Sequence, residues 1–264
     1  MRCFMNARVF WVSFSISIFI TGISKGEDYR RLEVFASYEQ LSPRLYGERK
    51  TGTFTFVHRP FQNFTYSISL SGFSRKEGNA ILASIGIYKD WTDRLYTYTA
   101  LSHGTNSLYL PKFRFDEEVY LKFGKSKNVV PTVGFSYIKY YDVHKDNIIS
   151  IGLIYYGAGW NITYKHSINR SDPGNVGSSS NLISIGIGRE KSSWTYIDFS
   201  YGKQAYLATH ITLPTEVRQN SLRIGLNHRR WIANSLGIVL NVDYFKLEKG
   251  YEKYGFGCGL FKEF

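Results

Sequence analysis

Cysteine is almost missing from this chain: 264 residues contain two. Cys3 falls in a leader expected to be removed, which leaves Cys258. One cysteine closes no intrachain disulfide and builds no structural zinc site. Proline (6) and methionine (2) are also scarce, which argues against collagen-like, disordered and helix-rich membrane classes. Beyond residue 26 no run approaches the ~18 consecutive apolar residues of a transmembrane helix. Acid is short as well, with 21 Asp and Glu against 33 Lys and Arg, a formal net charge of +12. Such a surplus could serve nucleic acid, yet the basic residues form no stripe with stacking aromatics, and no nucleic-acid partner is expected. The six histidines lack metal-ligand spacing, so neither a metal nor a cofactor is expected. What the chain has in quantity is Tyr (21), Phe (19) and Gly (24), set out with a period of two.

Residues 1–8 carry two arginines and no acid, and residues 9–23 are apolar with interspersed hydroxyls. That run falls short of the ~20 residues a spanning helix needs. Small residues follow at Gly22, Ser24 and Gly26. A basic start, a short apolar core and small residues read as a secretory signal peptide over 1–24, cleaved after Ser24 or Gly26. Residues 27–264 then form one domain.

Strict alternation recurs along that domain. In 63–71, Phe64, Tyr66, Ile68 and Leu70 alternate with Thr65, Ser67, Ser69 and Ser71. Residues 181–188 and 236–244 repeat the pattern with Ile, Leu and Val against Ser, Gly, Asn and Asp. Successive strand side chains point to opposite faces, so each segment has one oily and one small or polar face. About fourteen such segments begin near residues 31, 50, 62, 79, 94, 116, 130, 147, 159, 180, 194, 219, 235 and 251. The count is twelve if the weakly alternating 51–57 and 95–101 are left out. Each is ~9–12 residues long, the length of a tilted transmembrane strand. Long connections are expected mainly at one end and tight turns at the other.

The solvent follows from the faces. A dry core holding Lys122, Lys165, Asp198, Arg223 and Asp243 would cost about 1–3 kcal/mol per unsatisfied polar group, and more per charge. Reversing the faces puts these residues on a wet lumen and the Ile, Leu, Val and Phe set on lipid. Closure satisfies every backbone group within the ladder. The expected fold is an all-β, single closed antiparallel up-and-down transmembrane β-barrel. Trp91, Trp160, Trp194, Trp231, Tyr141 and Tyr201 suit interfacial girdles. In 251–264, Tyr254, Phe256, Cys258, Leu260 and Phe264 share the oily face, opposite Gly255, Gly257 and Gly259. Phe264 reads as the assembly signal of an outer-membrane barrel, addressed to the barrel-assembly machinery.

The stretches Gly134–Asp142 (GFSYIKYYD), Ser179–Ile185 (SSNLISI) and the closing strand to Phe264 resemble the YaiO family of outer-membrane β-barrels. The resemblance is by sequence over 115–264 and by pattern before that. It implies an outer-membrane barrel of a Gram-negative cell, in some relatives fused behind helical repeats associated with polysaccharide export, and it carries over no catalytic residue.

Arg44, Arg49, Lys50, Arg75, Lys76, Lys112, Arg114, Arg170, Arg218 and Lys249 are expected at a rim. There they would meet the phosphorylated lipid of the outer leaflet, lipopolysaccharide included, or be plainly solvated. Glu33, Glu39, Asp198 and Asp243 share the inward phase with Lys122, Lys165 and Arg223, and Asp198, Arg223 and Asp243 could form a cross-strand ladder. It would set solute selectivity or simply brace the wall. The loops 102–116, with Tyr109, Phe113 and Phe115, and 202–219 could constrict the lumen, stack on sugars or pack on themselves. His103 and His210 are placed on outer loops, with Ser102 beside His103, but no acyl-transfer motif surrounds them and an enzyme is not expected. Three classes remain: a weakly selective channel for small polar solutes, a non-conducting structural or surface-interaction barrel tied to polysaccharide traffic, and, last, a hydrolase.

Overall fold

The computed structural model describes residues 28–107, 109–207 and 216–264, and the side chains among these except at 204–207 and 216–219. The leader over 1–24 and His210 lie outside them. Fourteen strands close into one antiparallel barrel, each paired with its sequence neighbours and the first with the last. They are β1 (Tyr29–Ser42), β2 (Glu48–Phe61), β3 (Phe64–Arg75), β4 (Gly78–Asp90), β5 (Leu95–Gly104), β6 (Phe113–Leu121) and β7 (Val129–Lys139). β8 (Lys145–Gly157), β9 (Trp160–Asp172), β10 (Val176–Arg189), β11 (Ser193–Leu207), β12 (Glu216–Trp231), β13 (Leu236–Leu247) and β14 (Glu252–Glu263) complete it. Every strand starts within four residues of its expected position. The seam is continuous, with Arg31 opposite Glu263 and Ser42 opposite Glu252.

Alternation places Val34, Phe54, Ile68, Ile85, Ile149, Ile151, Ile185 and Leu260 on the outside, all exposed. The inside of the same strands carries Ser, Thr, Gly and charge. In β14, Gly255, Gly257 and Gly259 face inward opposite Tyr254, Phe256, Cys258 and Leu260. The orientation demanded by lipid is therefore present: hydrocarbon outside, polar groups inside, and no open sheet edge. Glu117 is a departure, a carboxyl on the outer face accepting a hydrogen bond from Thr99 Oγ1 at 2.5 Å.

Several expectations need correcting. The strands run further than the alternation suggested, because Ser, Asn and Arg continue the ladder beyond the apolar part. The expected long loop around Asp172 shrinks to 173–175, and the sorting of long and short connections is correspondingly weak. Phe113 and Phe115 lie in β6 on the outer face, not in a loop, because the ladder with β7 extends to Phe113–Lys139. His103 lies in β5 and points outward while Ser102 points inward, so strand geometry holds the two side chains apart. Trp194 and Trp231 face the lumen rather than a girdle. Trp231 Nε1 donates to Glu263 Oε2 at 3.1 Å, and Trp194 stacks beside Tyr196.

The start of β1 and the end of β14 lie at one end of the barrel, the proximal end; the other is distal. Proximal turns are held by small residues. At Gly188 an added Cβ would sit 2.1 Å from the carbonyl oxygen of Ser193 across the β10–β11 ladder. Gly188→Ala is expected to cost about 1–3 kcal/mol by forcing the hairpin apart. A lower urea midpoint for the variant refolded in detergent is the check; an unchanged midpoint would mean the hairpin yields freely.

Candidate functional site

The lumen is not uniformly wet. Toward the distal end, Leu41, Phe245, Leu247 and Tyr251 pack together with Tyr46 beside them. Across the mouth, Phe73, Ala80 and Leu82 receive Tyr109 and Leu110 from the loop 105–112. The fold-back is anchored by Gly104 N–H donating to Pro111 O at 2.9 Å and Tyr109 Oη donating to Gly78 O at 2.8 Å. Burial pushes the phenols of Tyr109 and Tyr251 up, against the pull of Arg75 and Arg49 respectively. Toward the proximal end, Tyr96 and Tyr120 stack at 4.4 Å over Val130 and Ile154, with Tyr88, Tyr98 and Tyr156 around them.

Between these apolar plugs lies a polar cavity of about 200 Å³. One wall is a register row crossing seven strands: Glu118, Gly134, Ser150, Ser167, Ser180, Gly202 and Ser221 stand side by side on β6 to β12. Small side chains here leave the volume that apolar residues occupy elsewhere. Glycines let an ion pair cross the wall. Lys165 on β9 reaches Glu118 on β6 at 2.7 Å over Gly134 and Gly152. An added Cβ at these glycines would approach Ser150 Oγ to 2.6 Å and Thr132 Oγ1 to 2.7 Å. Next to it Arg114 grips Asp116 with two bonds of 2.6 and 2.7 Å, and Ser136 donates to the same carboxylate.

The opposite wall carries a second row. Asp198, Gly225, Asp243, Gly255, Glu39, Arg49 and Arg75 are successive cross-strand neighbours on β11 to β14 and β1 to β3. Carboxylates occupy alternate strands, and the glycines between them give room: an added Cβ at Gly255 would meet Asp243 Oδ1 at 2.9 Å. Cations stand one step distal on the intervening strands. Arg223 Nε is 3.7 Å from Asp243 Oδ2, and Lys253 Nζ is 3.5 Å from the same oxygen and 2.6 Å from Glu39 Oε1. Alternating signs at this spacing offset much of the cost of burying each charge.

Of the residues singled out in the sequence, Lys165, Asp198, Arg223 and Asp243 thus face the lumen, and Arg223 and Asp243 come together. Lys122 lies at the proximal rim, 3.7 Å from Asp90 and over the Tyr96 ring. Tyr109 is tucked into the distal mouth, whereas Phe113 and Phe115 point to lipid. Phe264 follows β14 and donates its N–H to Arg30 O. Sequence reasoning passed over Glu118 and Lys253, and it assigned Arg49, Arg75 and Arg114 to an outer rim. Strand parity corrects the rim: Arg49 shares the face of Thr51, Thr53 and Thr55, Arg75 that of Ser69 and Ser71, and Arg114 that of Asp116. Beyond the apolar part of these strands the ladder continues through polar residues whose composition resembles that of a loop.

The profile of the YaiO membrane beta barrel domain matches residues 29–207. Among solved structures, the chain is similar to the CymD monoaromatic hydrocarbon channel over 90% of its length and 88% of that chain, with a TM-score of 0.57 and 6% identity. It is also similar to a bacterial polysaccharide outer membrane secretin over 88% and 98% (TM-score 0.54, 10% identity). The outer membrane protein Omp33 of Acinetobacter baumannii is alike over 88% and 97% (TM-score 0.52, 11% identity). At such identities the likeness is one of fold. No curated protein matches the sequence.

Proposed function

Since the chain belongs to the YaiO family of membrane β-barrels, we propose that it is a narrow outer-membrane channel for small polar solutes, its distal end facing outward. One observation carries this reading: the serine-walled, charge-balanced cavity inside the barrel. A barrel needing only to be stable gains more from filling its interior with apolar side chains than from ion pairs. A closed, non-conducting barrel is the second reading. The Tyr109–Leu110 and Tyr96–Tyr120 plugs above and below the cavity favour it.

Single-channel recording in planar bilayers separates the two. The channel reading expects discrete conductance steps from the wild type. Arg223→Ala is expected to shift the reversal potential toward cation preference, because Asp198 and Asp243 then lose a neighbouring positive charge. A silent protein would leave the closed barrel. Steps with unchanged ion preference in Arg223→Ala would reduce that row to a brace.

A further inference from the structure

The cavity between the apolar plugs is lined by hydroxyls that the fold does not use. Ser150 on β8, Ser167 on β9, Ser178 and Ser180 on β10 and Ser200 on β11 all stand on its wall. Among the described residues none of these five hydroxyls meets a hydrogen-bond partner, whereas Ser136 donates to Asp116 and Ser221 to Gly202 O. Ser150, Ser167 and Ser180 are direct cross-strand neighbours, so they form a line with a spacing of about 5 Å. Ser178 stands one step distal of that line and Ser200 one step proximal. Each hydroxyl donates one bond and accepts two. Asn169, 8% exposed and on the same wall, adds an acceptor: its Nδ2 donates to Asp146 and Ser171, while its Oδ1 has no donor.

The charged part of the lining does not favour an ion. Its inward-pointing charges are those of four ion pairs, Arg114–Asp116, Lys165–Glu118, Arg223–Asp243 and Lys253–Glu39, and they sum to zero. Every acid among them lies within 3.7 Å of its cation. Asp198, in the same row as Asp243 but off the cavity wall, brings the sum to −1, which draws no anion. A charged solute would have to break a pair to find a partner. A neutral solute rich in hydroxyls breaks none, and meets the serines and the outer edges of the pairs as donors and acceptors.

Size narrows the occupant further. About 200 Å³ holds several waters or one sugar ring. Tyr98 at the proximal end and Phe245 at the distal end give apolar surface to the C–H faces of such a ring. The apolar clusters bound the cavity at both ends, so one unit fits and a chain does not. We infer that the cavity binds a single neutral polyhydroxylated solute, a monosaccharide or a cyclic polyol. The inference rests on the channel reading for its use, as the substrate class carried, but occupation itself requires no conduction.

Saturation-transfer NMR on the full chain in lauryldimethylamine oxide, a detergent without sugar, tests it apart from that reading. D-Glucose, myo-inositol and maltose are titrated separately. A saturable signal from glucose or inositol is expected in the wild type, and maltose is expected to bind at least tenfold more weakly. Ser167→Leu, which fills the middle of the serine line, is expected to weaken binding tenfold or more. The double variant Ser167→Ala/Ser180→Ala, which removes two hydroxyls without adding bulk, is expected to weaken it about tenfold. Ile168→Val, on the outer face of the same strand, is expected to leave it unchanged. No saturable signal from glucose or inositol in the wild type would overturn the site, even if the variants failed to fold. So would undiminished binding in both serine variants, or maltose binding as tight as that of glucose. Glucose binding by a protein that is silent in bilayers would discard the channel and keep the site, and conductance without polyol binding would do the reverse.

Discussion

Ile151→Lys is expected to cost about 2–4 kcal/mol of barrel stability, while Ser150→Lys, one residue away on the same strand, costs about 1 kcal/mol or less. Ile151 is the middle residue of β8 and is 57% exposed on the outer face. A lysine there must put its ammonium into hydrocarbon or draw water down to it, and from mid-strand its stem cannot reach either interface without strain. Ser150 belongs to the row of small residues along the cavity, near Glu118 and Lys165, where an added ammonium stays solvated. Urea unfolding of the two variants from lipid vesicles gives the comparison. The difference reports mainly the solvent on each face, since the introduced residue, the strand and the depth are nearly constant. Equal penalties would mean the outer face is not in lipid; a larger penalty at Ser150 would mean the interior is the dry side.

That same period of two made the fold legible without coordinates. Alternation in 63–71 and 236–244 fixed which side chains share a face, and the balance of cost between hydrocarbon and water fixed which face looks outward. What alternation cannot supply is register across strands. Asp198, Arg223 and Asp243 were visible as inward residues, but their offset was not: the carboxylates flank Gly225, and the guanidinium stands one step distal. Glu118 and Lys165 sit 47 residues apart, and only the shear of the barrel with glycines at 134 and 152 brings them together. Strand ends were misjudged for a related reason. Near Arg49 and Arg75 the outward positions become polar (Glu48, Lys50, Ser74), so the oily stripe fades before the hydrogen-bonded ladder ends. Parity continued nonetheless, and counting it from Thr51 or Ser71 puts both mouth arginines inside.

Lys253→Met is expected to destabilise the barrel by about 3 kcal/mol, the lower part of the range for removing one partner of a buried ion pair, because the lumen is partly wet. Lys253 is the cation shared between two strands: its Nζ is 2.6 Å from Glu39 and 3.5 Å from Asp243, and all three side chains are more than nine-tenths buried. Methionine matches the stem but leaves two carboxylates facing each other across Gly255, with Arg223, at 3.7 Å, close to one of them only. Neutralising the stranded acid should then restore stability. The double variant Lys253→Met/Glu39→Gln is expected to recover more than half of the loss, which means a favourable coupling of about 1.5 kcal/mol or more in a double-mutant cycle. Equilibrium unfolding of wild type, both single variants and the double variant in one detergent supplies the cycle. If the double variant is no more stable than Lys253→Met alone, the lysine acts through its packed stem against Leu41 and Phe245, and the row of alternating charge contributes little to holding β13, β14 and β1 together.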